Sequence, residues 1–265
     1  MELRRFYFCK IEGPDEKPDI NCRSGPGSFR RPSFMVIIMK KEKPDMFSGL
    51  CLTPEIASYF SALTEADEGY ASHVIRAMED AGLRASSVSA MEGRLLESLA
   101  RLSGARKAVE IGSLYGYSAQ WIARGLPEGA RLYSLEKDSS CVSAAKSGIE
   151  ASSLTRKITV MEGVALDSLK TLTKLAPFDF CFIDADIENY PAYLRWAAAS
   201  LRTGGLVVAG GAFLKGRVCR EGDESACHSA ARCMREFFHV LFDSDRFVSS
   251  AVIPAGEGLA IGIKG

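Results

Sequence analysis

Apolar positions along this chain recur with two periods, and the switch between them predicts the order of elements. Helical spacing begins at Thr53-Pro54-Glu55, an N-cap followed by proline at the first helical position, and carries a helix to about Leu63. A second helix is predicted from Gly69 to Ala81. A third runs from Met91 to Leu102, with Leu95, Leu96, Leu99 and Leu102 on one face. Short apolar, β-branched runs then alternate with helical stretches. The strands are Lys107–Ile111, Arg131–Leu135, Ile158–Met161, Phe178–Ile183 and Leu206–Ala209. The helices between and after them are Tyr117–Arg124, Ser139–Ala151, Ala165–Lys174, Pro191–Leu201 and Ala226–Phe242. The chain closes with two consecutive strands, Phe247–Ile253 and Leu259–Ile263, joined by a turn at Ala255-Gly256-Glu257-Gly258.

Strand–helix alternation implies an α/β fold with a mostly parallel sheet, doubly wound and covered on both faces. The strands number seven, and the last two form an antiparallel pair. Residues 1–46 break the pattern. They hold five prolines (Pro14, Pro18, Pro26, Pro32, Pro44) and a basic patch at Arg30, Arg31, Lys40 and Lys41, without periodicity. They read as an extension, partly disordered, outside a main domain over 47–265.

Composition changes this picture little. Apolar residues make up 47% and charged residues 25% of 265, and formal net charge is zero, so nothing points to a nucleic-acid or anionic-membrane partner. No apolar run approaches a membrane span. Met1–Lys10 lacks an apolar core and a small-residue cleavage site, so the expected location is cytoplasmic, with organelle targeting by the extension left open. The eight cysteines are scattered with no C-x-x-C pair, which suits free thiols in a reducing compartment. Cys219, Cys227, His228 and Cys233 fit no familiar zinc spacing and read as part of one amphipathic helix.

The chemistry of such sheets gathers at the carboxyl ends of the strands, so the residues just after each strand carry the information. After the first comes Glu110-Ile111-Gly112-Ser113-Leu114-Tyr115-Gly116-Tyr117-Ser118. Its glycines let the backbone turn tightly, but the spacing is G-x-x-x-G rather than the dinucleotide G-x-G-x-x-G. Glu110 would repel a pyrophosphate and suit a cationic group. After the second strand stands Glu136, placed to accept from both hydroxyls of a ribose. After the third comes Glu162-Gly163-Val164-Ala165, with room for a flat base. After the fourth comes Asp184-Ala185-Asp186, two acids costly to place beside a core unless they meet ligand, cation or solvent.

These segments together resemble the cation-dependent O-methyltransferases of the caffeoyl-CoA and catechol type. The resemblance covers roughly residues 50 to 264 and takes in Val88 through Leu96, Val109 through Ser118, Gly163 through Leu166, Phe178 through Asp186, Asn189-Tyr190, Gly204-Gly205, Gly216 through Val218 and Ile253 through Leu259. It implies the Rossmann-like methyltransferase fold, S-adenosylmethionine as cofactor, a small-molecule methyl acceptor and a homodimer. Carried onto matching positions, Glu110, Gly112, Ser113 and Ser118 would hold the methionine part and its loop. Glu136 would hold the ribose, Ala165 would border the adenine, Val88 would lie beside the entrance, and Asp184 near the methionine ammonium.

The other half of the family pattern is missing. The family holds a divalent cation with an Asp after strand four and an Asp-Asn pair after strand five. Asp184 supplies the first, but the pair falls on Gly210-Gly211, which offer no oxygen side chains. The family's lysine, the base in the catechol-type enzymes, falls on Ile187. No divalent metal is therefore expected. Asp186 and Lys215, with Glu188 and Tyr190, are the candidates for a replacement base. Two readings follow: a metal-independent O-methyltransferase, or a cofactor-binding scaffold that kept the fold and lost the chemistry.

Overall fold

A computed structural model describes residues 54–65, 71–219, 226–242 and 245–265. The extension over 1–46, the cap at Thr53 and the helix start at Gly69 lie outside the described residues.

The described chain opens with three helices, α1 (Pro54–Glu65), α2 (Ser72–Asp80) and α3 (Ala90–Leu102). The last begins at a capping box. Ser89 Oγ accepts from the Glu92 backbone N–H, while the Glu92 carboxylate accepts from the Ser89 N–H at 2.8 Å, so two otherwise orphaned donors are satisfied. The alternation then follows as β1 (Lys107–Ile111), α4 (Tyr117–Gly125), β2 (Arg131–Glu136), α5 (Ser139–Glu150), β3 (Ile158–Glu162), α6 (Ala165–Leu172), β4 (Phe178–Ile183), α7 (Tyr190–Ser200), β5 (Leu201–Ala209), α8 (Ala226–Leu241), β6 (Phe247–Ile253) and β7 (Leu259–Lys264).

The seven strands lie in the order β3-β2-β1-β4-β5-β7-β6. The first five pair in parallel, and β7 runs antiparallel to both β5 and β6. Strand alternation sends successive side chains to opposite faces. Ala108, Phe180, Phe182 and Val208 pack on one face with residues of α2, α3, α4 and α5. Val109, Cys181, Ile183 and Val207 pack on the other with α6, α7 and α8. Both faces are covered, so β4 reads as an apolar run rather than an alternation. At 20–33 cal/mol per Å² of apolar surface, burying side chains such as Phe178, Phe180 and Phe182 stabilises by roughly 2–3 kcal/mol each.

Three expectations need correction. Leu102 is 82% exposed; the buried face of α3 is Ala90, Gly93, Leu96 and Ala100, with Leu95 and Leu99 only partly covered. Small residues replace leucine on that face because α4 lies close: a Cβ on Gly93 would overlap the buried Trp121 indole. The predicted helix over 165–174 tightens into a 3-10 turn at Thr173–Leu175. The helix predicted to Leu201 ends at Ser200, and β5 starts directly there, longer than the apolar run alone suggests, with a register shift opposite Phe178–Phe180. No helix among the described residues is long and apolar enough to cross a membrane.

Candidate active site

The strand order reverses between β1 and β4, so the loops after these strands diverge and leave a crevice between them. Backbone pairing continues past the strand ends and lines up the first loop residues. Gly112 N donates to Leu135 O, Asp184 N to Ile111 O, Gly210 N to Ile183 O, and Gly163 N to Glu136 O, all at 2.8–3.0 Å. Gly112, Asp184 and Gly210 thus stand side by side on one ledge. Gly112 has φ +94°, and a Cβ there would overlap the Asp184 carbonyl, so only glycine allows β1 and β4 to come this close.

Two cavities open on the ledge. The smaller, about 450 Å³, is bordered by Gly112, Leu114, Glu136, Gly163, Ala165, Asp184 and Asp186. The larger, about 660 Å³, is bordered by Arg84, Val88, Met91, Glu92, Asp184, Gly210, Gly211 and Glu257. Ser86 and Asp184 belong to both. Of the residues the sequence nominated, Gly112, Glu136, Ala165 and Asp184 are brought together in the smaller cavity, and Val88 joins Asp184 in the larger.

Glu136 is fixed by backbone donors. Its Oε2 accepts from Leu114 N at 2.8 Å, and its Oε1 from Lys137 N and Asp138 N at 2.8 and 2.9 Å. The carboxylate thus ties the glycine loop to the tip of β2 and keeps lone pairs for a ligand at the cavity wall.

Glu110, Ser113 and Ser118 are elsewhere. Glu110 is fully buried and borders neither cavity, because β1 is central in the sheet and Glu110 lies directly opposite Ser134 on β2. Ser118 Oγ donates to it at 2.6 Å, Ser134 Oγ also bonds it, and Ser134 lies 2.7 Å from Ser113 Oγ. Burial pushes the Glu110 carboxyl up to about 8, against the pull of the two serines; Asp184 and Glu136 add smaller upward pushes. The cluster lies beneath the loop, where Glu110 braces the glycine turn through Ser118, Ser134 and Ser113.

Of the candidate bases, Asp186 borders the smaller cavity but already accepts from Tyr193 Oη at 2.7 Å and from Asn189 Nδ2. Lys215 borders neither cavity and is exposed, with φ +53°; its backbone N–H donates to Glu257. Tyr190 is fully buried and donates to Gly210 O at 3.1 Å, and Glu188 is exposed outside both cavities.

Asp184 differs from all of these. Its carboxylate accepts no hydrogen bond among the described residues, and it is pushed up to about 7 by desolvation first and by the charge of Glu92 second. The residue types at the ledge do not make a cage for a divalent cation. Gly210 faces the Asp184 carboxylate, with a Cβ built there 2.9 Å from Oδ1, and around Gly211 the space is open. Among the described residues no cluster of three His, Cys, Asp or Glu side chains is placed to hold a metal ion. The side chains of residues 226–228, which include the cysteine and histidine weighed above as zinc ligands, lie outside the described residues.

Sequence reasoning assigned no role to Arg84, Ser86, Glu92, Asn189, Tyr193 and Glu257, which border the two cavities. The signal for Glu92 was present, since Ser89-x-x-Glu92 before an apolar run is a capping-box signature. Glu257 lies in the predicted closing turn. Nothing in the periodicity marks that this turn folds back to the ledge, where Phe213 N donates to Glu257 O at 2.8 Å.

The profile of the family described as O-methyltransferase matches residues 64–264. A catechol O-methyltransferase of Niastella koreensis is 38% identical over 162 residues, 60% of this chain and 72% of that protein. A catechol O-methyltransferase of Mycobacterium tuberculosis is 32% identical over 182 residues, covering 69% and 82%. Among solved structures, the O-methyltransferase from Bacillus cereus in complex with SAH superposes with a TM-score of 0.73 at 30% identity, over 80% of this chain and 97% of that one. The O-methyltransferase TomG from Streptomyces achromogenes, in complex with SAM, gives 0.71 at 31%, over 79% and 96%.

Proposed function

This chain belongs to the O-methyltransferase family and is an S-adenosylmethionine-dependent O-methyltransferase, and from that premise we propose that it methylates a hydroxyl of a small molecule without the divalent cation that the sequence resemblance implies. The observation that carries the reading is the contrast across Asp184. One adjoining cavity has the acid and glycine cradle that suit a nucleoside. The other has glycines where a cation cage would need oxygen ligands.

The residues of the smaller cavity fit the cofactor. Glu136 would accept from the ribose hydroxyls, Gly163 and Ala165 leave room for the adenine, and Val88 and Asp184 flank the path of the methionine part. When bound, S-adenosylmethionine supplies an electrophilic methyl on a sulfonium. The chain's own contribution is positioning. The ledge of Gly112, Asp184 and Gly210 joins the two cavities and would hold an acceptor hydroxyl beside the bound cofactor. A phenol has a pKa near 10, so its proton must leave during transfer. Asp184, at the junction and free of hydrogen bonds within the described chain, is the carboxylate best placed to accept it.

The scaffold reading rests on the same Gly210-Gly211 and Ile187 positions. Labelled methyl transfer to a panel of phenols, with and without chelator, separates the two. Transfer that survives the chelator supports the metal-independent enzyme; cofactor binding without transfer to any phenol supports the scaffold; transfer abolished by the chelator defeats the proposal.

A further inference from the structure

The wall that both cavities share is built from a short turn between α2 and α3, not from the sheet. Ser86 borders both cavities, while Ser87, Val88 and Ser89 border the larger. The backbone bonds that shape this turn are local. Ser86 N–H donates to Leu83 O at 2.9 Å, and Ser87 N–H to Arg84 O at 3.3 Å. Such bonds make a turn but do not fix where it stands against the glycine loop.

Arg84 supplies that link. The 3-10 turn Arg84–Ser86 brings residues three apart onto one side, so Arg84 stands beside Ser87. Its Nη1 donates to Ser87 Oγ at 2.8 Å and to Val88 O at 3.1 Å. Its Nη2 donates to Tyr117 Oη at 3.4 Å, and the guanidinium carbon lies 4.6 Å from the centre of the Tyr117 ring. A planar fork can bond at its edge and stack on a ring at once, and the ring face attracts its charge. Tyr117 is a firm anchor. It opens α4 directly after Gly116, is 1% exposed, and meets the fully buried Trp121 edge-on at 6.2 Å. One guanidinium thus spans from the shared wall to the first turn of α4, beside the glycine loop.

Charge is the competing use for this side chain. Arg84 borders the larger cavity together with Glu92, Asp184 and Glu257. Among the described residues it forms an ion pair with none of these three acids. Its bonds to Ser87, Val88 and Tyr117 go to neutral oxygens. That geometry suits a clasp better than a counter-charge.

We infer that Arg84 is a positioning residue for the cofactor, clasping the turn over 84–88 to α4 and so holding Ser86 and Val88 in place. This role rests on the reading of the smaller cavity as the cofactor site, with Val88 beside the path of the methionine part. With the clasp broken, the shared wall is free to move off the glycine loop, and a bound nucleoside leaves faster.

The test uses the full-length protein, with S-adenosylhomocysteine affinity from calorimetry, its release rate from stopped flow, and urea midpoints without ligand. Arg84→Met keeps the apolar stem and drops the donors. It should weaken binding by about tenfold, mainly through faster release, with the urea midpoint unchanged. Arg84→Lys keeps the charge without the fork, and should stay within about threefold of Arg84→Met. Ser87→Ala removes one end of the clasp. It should cost about threefold in the parent and clearly less in the Arg84→Met background, because partners in one contact are not additive. Parent affinity in Arg84→Met overturns the inference. So does parent affinity in Arg84→Lys, which would show that charge suffices, and so does an equal Ser87→Ala loss in both backgrounds. Affinity that falls only in step with the urea midpoint also overturns it, since a merely structural role does that. If Arg84→Met does not fold, Arg84→Lys takes its place in each comparison. A parent that binds no S-adenosylhomocysteine is a separate result, which removes the cofactor-site reading and this inference together.

Discussion

The two sides of the Asp184 ledge are built differently. On the β1–β2 side every acid is engaged: Glu136 accepts three backbone N–H groups, and Glu110 is bonded by Ser118 and Ser134. On the β4–β5 side the loop is glycine, Asp184 accepts nothing within the described chain, and Glu92 uses one oxygen of two. A site that must hold one fixed ligand gains from preorganised, satisfied groups, whereas open carboxylates beside open space leave the choice of ligand to whatever enters. On the proposed reading, the satisfied half recognises the cofactor and the unsatisfied half the acceptor.

The largest expected effect lies deepest in the rigid half. Glu110 is pushed from 4.5 to about 8 by burial, so the folded protein holds a proton that the unfolded chain releases. Between those values the native state binds more protons, and stability falls as pH rises. The cost is absent below about 4.5 and complete above about 8, with an upper bound of roughly 4–5 kcal/mol. Glu110→Gln, which cannot ionise, should flatten the pH dependence of urea midpoints across that window. An unchanged slope would mean that Glu110 is ionised in the fold.

Next comes the cofactor contact itself. Glu136→Ala removes the proposed ribose acceptor and the tie to Leu114 N, and should weaken S-adenosylhomocysteine binding by about two orders of magnitude or more in calorimetry, at roughly 1.5–3 kcal/mol per hydrogen bond to a charged group. A loss below about threefold would leave the rigid half without its assigned purpose.

The third experiment tries to turn the open half into a metal site. Gly210 faces the Asp184 carboxylate, and Gly211 sits at φ +63°, a left-handed conformation that asparagine tolerates better than most side chains. Gly210→Asp with Gly211→Asn and Ile187→Lys should add chelator-sensitive transfer to a catechol, about tenfold above the parent. A Cβ at Gly210 stands 2.9 Å from Asp184 Oδ1, so Asp184 must give way slightly. Parent activity that itself vanishes with chelator would erase the contrast between the halves.

The two halves were also unequally legible in the sequence. Element order, the antiparallel closing pair and the strand-tip positions of Glu136 and Asp184 follow from periodicity, because each apolar run is short and bounded by turn residues. Leu102 misled because a helical stripe identifies a face but not how far a neighbouring helix extends over it. The burial of Glu110 was not legible, because a strand-tip acid looks accessible in one dimension and only the lateral pairing with Ser134 places it beneath the loop. Glu257 could not be assigned to the site because its approach depends on pairing between Phe213 and the closing turn, contacts far apart in sequence.

The smallest effect tests how the open half is held open. Ser89 caps α3 and, through the same contact, fixes the carboxylate of Glu92. Ser89→Ala removes one accepted and one donated bond while the Ser89 backbone N–H still bonds Oε2, so a loss of about 1 kcal/mol in unfolding free energy is expected. The rigid half should not register the change, and S-adenosylhomocysteine affinity should stay within about twofold, since sites without shared partners behave nearly additively. If cofactor affinity falls in step with stability, the two cavities respond as one unit, and the division at Asp184 is not energetic but only a feature of shape.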